Sequence, residues 1–498
     1  MVPAAGDRPP VRVTSVPGRT DTGPACSRSM DRNRYVDLLR AMAIGGVVYG
    51  HWLLISVTYA HGRLSGADAL DYVQWGRWMT WVFQVMPVFF LIGGYVNARS
   101  WPAHMAKGES WTLWVRDRAL RLLWPTAVFI ATGILAVSIA RLAGVPAAET
   151  GQAGWLIALQ LWFLPVYLLL IALTPVLLAA HRRWGLAVPV LMAAGAALVN
   201  AAVSGPHLHV IGYASYLFVW GSVHQWGFAW HDGTLTRRRY RPPLMAAGGA
   251  ALLACLLTWG GFKVDMIGSG NTNPPSVALL AYALAQSGLI LTLEPTATRL
   301  LARPALWRII QRLNPAVMTV YLWQFVPAVI VAIACYPTGL IPQPAIGTAD
   351  WWILRPVWFA LLTAVLVPLV MVVMRAERPL RHLPPGIGPP EPWSPAILLA
   401  GLAATMTGLA RLAIAGLAPA GRPAVLALTA FAAGLIAVFC TGHVPGTTRH
   451  TSTAPGRSRP GPGQGTVKPT RPKPVTPRMR KTTAKTQVTV ISSAVDSE

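Results

Sequence analysis

Charge is what this sequence has least of. Only 12% of its 498 residues are Asp, Glu, Lys or Arg, about half of what a soluble domain carries. The apolar residues, 54% of the chain, fall in long runs rather than on one face of amphipathic segments. A run of roughly 18 apolar residues with few charges is long enough to span a bilayer. The chain holds many such runs. That excludes a soluble globular protein and predicts an all-α, polytopic transmembrane helix bundle.

Acids are scarcer still, 17 against 42 Lys and Arg, for a net charge of +25. In a soluble protein that balance points to nucleic acid. Here no zinc-ligand spacing and no RNA-binding aromatic motif is found, and the arginines sit mostly in short loops between apolar runs and in the two tails. That is the pattern of topology signals facing anionic lipid. Membrane lipid is therefore the expected partner and nucleic acid is not. Cysteine is equally sparse. Cys26, Cys255, Cys335 and Cys440 show no paired spacing, so neither a disulfide nor a metal site is expected. Residues 1–33 lack any apolar stretch and are rich in Pro, Arg, Ser and Thr. They read as a disordered tail with no cleavable leader, the first span serving as its own insertion signal.

Twelve spans are expected, near 38–58, 80–97, 125–143, 155–180, 185–203, 211–230, 243–261, 276–293, 315–335, 352–374, 395–416 and 422–441. Lys and Arg set their orientation. With the N-terminus cytoplasmic, the outer side holds only Arg63, Arg77, Arg141, Lys263, Arg355, Arg411 and Arg422, leaving 35 of the 42 inside. So uneven a split predicts an even number of spans in a plasma membrane with both termini cytoplasmic. In the inner loop 99–124, the run WTLWVRDRALRLLWP alternates basic residues with Trp and Leu at helical spacing, which predicts an amphipathic helix lying at the interface. Residues 443–498 have no apolar period and read as a disordered basic cytoplasmic tail.

Against this background one pair stands out. The first span carries Arg40 at its inner mouth and His51 past its middle. On a helix, eleven residues turn through about three full turns plus 20°, so the two share one face, separated by roughly 16 Å along the axis. An ionisable group at that depth is costly unless it meets a cavity or a partner. Histidine suits general-base work near neutral pH, and it is equally able to hydrogen-bond a neighbouring helix and hold the bundle together. The residues by themselves leave both readings open.

Several motifs occur together in order. Arg40-x10-His51 begins within RYVDLLRAMAI, and the second span reads MPVFFLIGGYV from Met86 to Val96. Arg118-Ala-Leu-Arg121 is followed by Leu122 and Pro125. LQLWFLPVYLLL runs from Leu159 to Leu170, TNPPS from Thr272 to Ser276 and VYLWQF from Val320 to Phe325. In this order, over residues 34 to 383, the chain resembles the membrane-bound acyltransferase-3 family, in its actinobacterial type. The resemblance implies a ten-helix acyltransferase domain at 34–383. Two additional helices at 384–442 and the tails 1–33 and 443–498 lie outside it. Many members read Tyr-Leu-Trp-His where this chain has Tyr321, Leu322, Trp323 and Gln324. Gln keeps a donor and an acceptor but cannot titrate. A proton-carrying role at that place would be lost, whereas a hydrogen-bonding one would be kept.

The resemblance implies an O-acyltransferase with cytoplasmic acyl-CoA as co-substrate, no bound cofactor, and a surface carbohydrate or lipid as acceptor. His51 would deprotonate the acceptor hydroxyl or carry the acyl group itself, with Arg40 on the same face. Arg118 and Arg121, three apart on one helix face, would clamp donor phosphates; contact with lipid headgroups is the alternative. Asn273, Tyr321 and Gln324 are candidates for lining the acceptor side, although SGNTNPPS, with Asn271 and Asn273, is also ordinary turn chemistry. His224 reads as a helix-bridging residue. One of the outer acids Asp68, Asp71, Glu149, Asp265 and Asp350 could orient His51, as a carboxylate orients a catalytic imidazole. The rival function is a twelve-helix secondary transporter. Internal repeats would mark one, but Arg-x10-His has no second copy in residues 250–442.

Overall fold

The computed structural model describes residues 33–60, 63–204, 209–268, 270–378 and 393–441. The expected disordered tails and the 384–392 link lie outside the described residues. Each expected span overlaps a helix over most of its length. Among the described residues, seven helices are long and apolar enough to cross a membrane alone, and one bent pair makes an eighth if counted as a single span.

Helix α1 (Arg34–Leu54) starts at Asn33, whose side-chain oxygen accepts from the Tyr35 and Val36 amides. This cap uses two of the N–H groups that a helix start leaves unpaired. The helix stops three residues past His51, short of the expected 58. Ile55, Val57, Thr58 and Tyr59 favour extended backbone, and β1 (Ile55–Ala60) pairs antiparallel with β2 (Arg63–Asp68). Among the described residues this hairpin is the one two-stranded sheet in a bundle that is otherwise helical, as expected.

After the short α2 (Thr80–Phe83) come α3 (Met86–Met105) and α4 (Trp111–Leu142). The separate interfacial helix expected at 111–125 is not found. That run is continuous with the third span in one helix, capped by Ser110 accepting from the Leu113 amide. Nothing in 111–124 breaks a helix, and Pro125 inside it removes only its own N–H, a loss transmembrane helices tolerate. An amphipathic helix lies instead at α11 (Pro304–Leu313). Its Leu306, Trp307 and Ile310 turn inward while Arg308 and Arg312 are exposed.

The others follow in order: α5 (Ala147–Ala158), α6 (Phe163–Trp184), α7 (Ala187–Ser204), α8 (Ala214–His231), α9 (Arg241–Thr258) and α10 (Val277–Leu300). Beyond α11 are α12 (Val317–Trp323), α13 (Val326–Cys335), α14 (Ala349–Glu377), α15 (Ser394–Ala415) and α16 (Val425–Cys440). Small residues let backbones meet where lipid supplies no hydrophobic drive. A Cβ on Gly94 of α3 would stand 2.0 Å from the His224 carbonyl oxygen of α8, and one on Gly227 would stand 2.2 Å from the Leu91 carbonyl. Helix α15 packs on α6 and on the turn before it, and α16 packs on α4. The two C-terminal helices thus cover one flank of the bundle.

Candidate active site

The site is built on a broken helix. Between α12 and α13 the chain bends by 59°. Pro327 explains the place of the break, because it lacks the N–H that the Trp323 carbonyl would need four residues on. Away from water, freed carbonyls must find other donors. Gln324 Nε2 donates to the Tyr321 carbonyl at 3.0 Å. Gln160 Nε2 donates to that of Leu322 at 2.8 Å, and Trp52 Nε1 to that of Gln324 at 2.7 Å. The Tyr321 hydroxyl donates to the Gln160 carbonyl, tying the two segments together a second time.

His51 meets this break. Its Nδ1 lies 3.1 Å from Gln324 Oε1, and its ring lies against Phe325 with centroids 4.9 Å apart. Because Gln324 Nε2 already donates to Tyr321, the oxygen faces the imidazole. An amide oxygen only accepts, so Nδ1 carries the proton and Nε2 keeps its lone pair. His51 is partly buried and Gln324 fully buried. The orienting group is therefore an amide, not one of the five outer acids. Asp68, for example, caps the Leu70 amide at 2.9 Å, and burial pushes its carboxyl above the usual range, partly offset by that hydrogen bond.

The cationic end lies one helix length away. Arg40 pairs with Asp37 at 3.6 Å. The Arg118 guanidinium stacks 4.9 Å from the Trp114 ring and donates to Ser100 Oγ. Arg118 lies within electrostatic range of both Arg121 and Arg40, and Arg121 is exposed. The three expected donor-side arginines are thus brought together. Beside them Asn97 Nδ2 donates to Thr174 Oγ1 and to His224 Nε2, each at 3.2 Å. His224 does bridge helices, as read, but within this polar cluster.

Between the two ends runs an aromatic column. Tyr167, also within electrostatic range of Arg118, stacks on Phe163 at 5.2 Å, and Phe163 meets Tyr321 edge-on at 5.7 Å. The Tyr321 hydroxyl is occupied by Gln160, so its ring lines the column while its polar tip is used for support. Asn273 is not part of this assembly. It is exposed and accepts from the Tyr216 hydroxyl at 3.0 Å. Its neighbour Asn271 organises the outer loop, donating to the Lys263 and Asp265 carbonyls at 2.8 Å each.

Sequence reading missed Gln160, Asn97 and Arg116. Gln160 and Asn97 are single polar residues in apolar runs, and that was the available signal. Arg116, two residues before the Arg118 motif, is buried and donates from Nε and Nη2 to the Phe439 carbonyl of α16 at 3.4 and 3.3 Å. No signal near Arg116 points to a partner 323 residues away.

The acyltransferase-3 family model, described as an acyltransferase domain, matches residues 33–375. The match takes in α1 through most of α14 and leaves α15 and α16 outside. It does not favour the transporter reading. No curated protein and no solved structure matches the chain.

Proposed function

Because the chain belongs to the acyltransferase-3 family of membrane proteins, we propose that it moves a short acyl group, acetyl or similar, from cytoplasmic acyl-CoA to a hydroxyl of a surface glycan, lipid or other acceptor. The proposed setting is a twelve-span protein of the plasma membrane with both termini cytoplasmic. The observation that carries the reading is the His51–Gln324 contact, which leaves a lone pair on His51 Nε2.

In the proposed reaction His51 Nε2 takes the proton of the acceptor hydroxyl as its oxygen attacks the thioester carbonyl. The carbon–sulfur bond breaks, the acyl group stays on the acceptor oxygen, and the leaving thiolate takes the proton from the imidazolium. Free CoA and an ester result. Arg118 and Arg121 hold donor phosphates through charge-assisted hydrogen bonds, with Arg40 adding positive charge on the path. The roughly 16 Å between Arg40 and His51 along α1 is the stretch the donor arm would occupy. The aromatic faces of Tyr167, Phe163 and Tyr321 suit its apolar parts.

The test uses membranes containing the full chain and acetyl-CoA labelled in the acetyl group. Label is expected on a glycan or lipid, and absent with His51→Ala at equal membrane level. Transfer by the His51→Ala protein at the parent rate would overturn the reading.

A further inference from the structure

Gln160 is 2% exposed, and only part of its amide is used. Its Nε2 donates to the Leu322 carbonyl, while its Oε1 is buried and has no hydrogen-bond partner. A buried acceptor left without a donor is destabilising and calls for an explanation. Its partner Leu322 lies two residues before Gln324, the residue that His51 contacts. Trp323, on the same turn, is also buried and leaves its Nε1 donor unpaired.

We infer that Gln160 Oε1 accepts a hydrogen bond from an N–H group on the acyl donor. The class of donor is a thioester whose arm carries a secondary amide close to sulfur. This rests on the acyltransferase reading above and adds to it a residue that selects the donor arm. In acyl-CoA the first amide nitrogen stands two carbons from the sulfur. A thioester held at His51 therefore brings that N–H to the level of the residues that brace the break. The Gln160 amide cannot turn away, because its nitrogen is committed to Leu322. A captured water would also satisfy Oε1, but it would make no distinction between donors with and without the N–H.

The experiment compares two small donors that differ in one group: S-acetyl-N-acetylcysteamine, and its ester isostere with oxygen in place of N–H. Both are offered to membranes carrying the full-length parent, Gln160→Glu or Gln160→Leu, and acetyl transfer is measured beside acetyl-CoA. The parent is expected to prefer the amide donor by roughly five- to tenfold in kcat/KM, the worth of one neutral hydrogen bond. Gln160→Glu, protonated when buried, keeps an acceptor oxygen and the preference. Gln160→Leu loses it, the ratio falling to near one. If Gln160→Leu does not turn over, the ratio is read as displacement of labelled acetyl-CoA by the unreactive S-ethyl thioether forms of the two donors. A parent that does not distinguish the donors, or a Gln160→Leu protein that still does, overturns the inference while leaving acyl transfer intact. A parent that transfers nothing from acetyl-CoA overturns the functional reading itself, and this inference with it.

Discussion

His51 Nδ1 and Gln324 Oε1 stand 3.1 Å apart across 273 residues of sequence, and the same glutamine is pinned by its nitrogen to the Tyr321 carbonyl. The imidazole is therefore held in one tautomer by a neutral group. Such an arrangement orients a base without the added charge that a carboxylate would bring.

His51→Gln is expected to abolish transfer, by something like a hundred- to ten-thousandfold, the range removed with a general base. Glutamine can fill the space but cannot take a proton. The measurement is acyl transfer at verified membrane insertion, and activity near the parent's would remove the base role.

Gln324→Leu should lower kcat by about ten- to a hundredfold, since it frees the imidazole and orphans the Tyr321 carbonyl, at about 1–3 kcal/mol for a buried group left unpaired. The KM for acyl-CoA should stay within about twofold of the parent's, because the donor cluster is untouched. A change confined to KM would mean that Gln324 binds donor rather than orients His51.

Arg121→Ala should raise the apparent KM for acyl-CoA about tenfold, roughly 1.4 kcal/mol for one lost charge-assisted contact. Arg121 is the cleaner of the two probes, being exposed, whereas Arg118→Ala also removes the Trp114 stack and the Ser100 bond. Arg118→Ala should show the same direction. If only the acceptor KM moves, the arginines do not serve the donor.

Truncation after His443 should leave turnover unchanged, and truncation after Pro384 should not. The second removes Phe439, whose carbonyl holds the buried Arg116 of α4, and strips the flank covered by α15. Arg116→Ala alone should cost about 1–3 kcal/mol through the lost contact to that carbonyl. Both effects are readable as lowered Tm in detergent. A shortened chain ending at Pro384 with the parent's Tm would show that the two helices are not needed for the fold.

The sequence by itself determined the class of molecule and the positions of its helices. Hydropathy and helical period act within one segment, so the runs and the shared face of Arg40 and His51 were legible there, while the Asn33 start, placed in the tail, was not. The motif order also pointed to the family and to the arginines. It did not reveal the break at Pro327, because the run from 315 to 335 stays apolar straight through it. Nor did it show where α1 ends, since Ile55 to Tyr59 suits an apolar span and a strand alike.

Tertiary structure alone decided the partners. Gln160 and Leu322 lie 162 residues apart, and Arg116 and Phe439 lie 323 apart. An amide can donate and accept anywhere along a chain. Which carbonyl it meets depends on how helices dock, and that is set by the small residues and aromatic faces between them. The five outer acids were reasonable partners for an imidazole by chemistry. An amide on a broken helix took the place instead, because the break presents its own freed groups to α1, and these must be paired where no water can pair them.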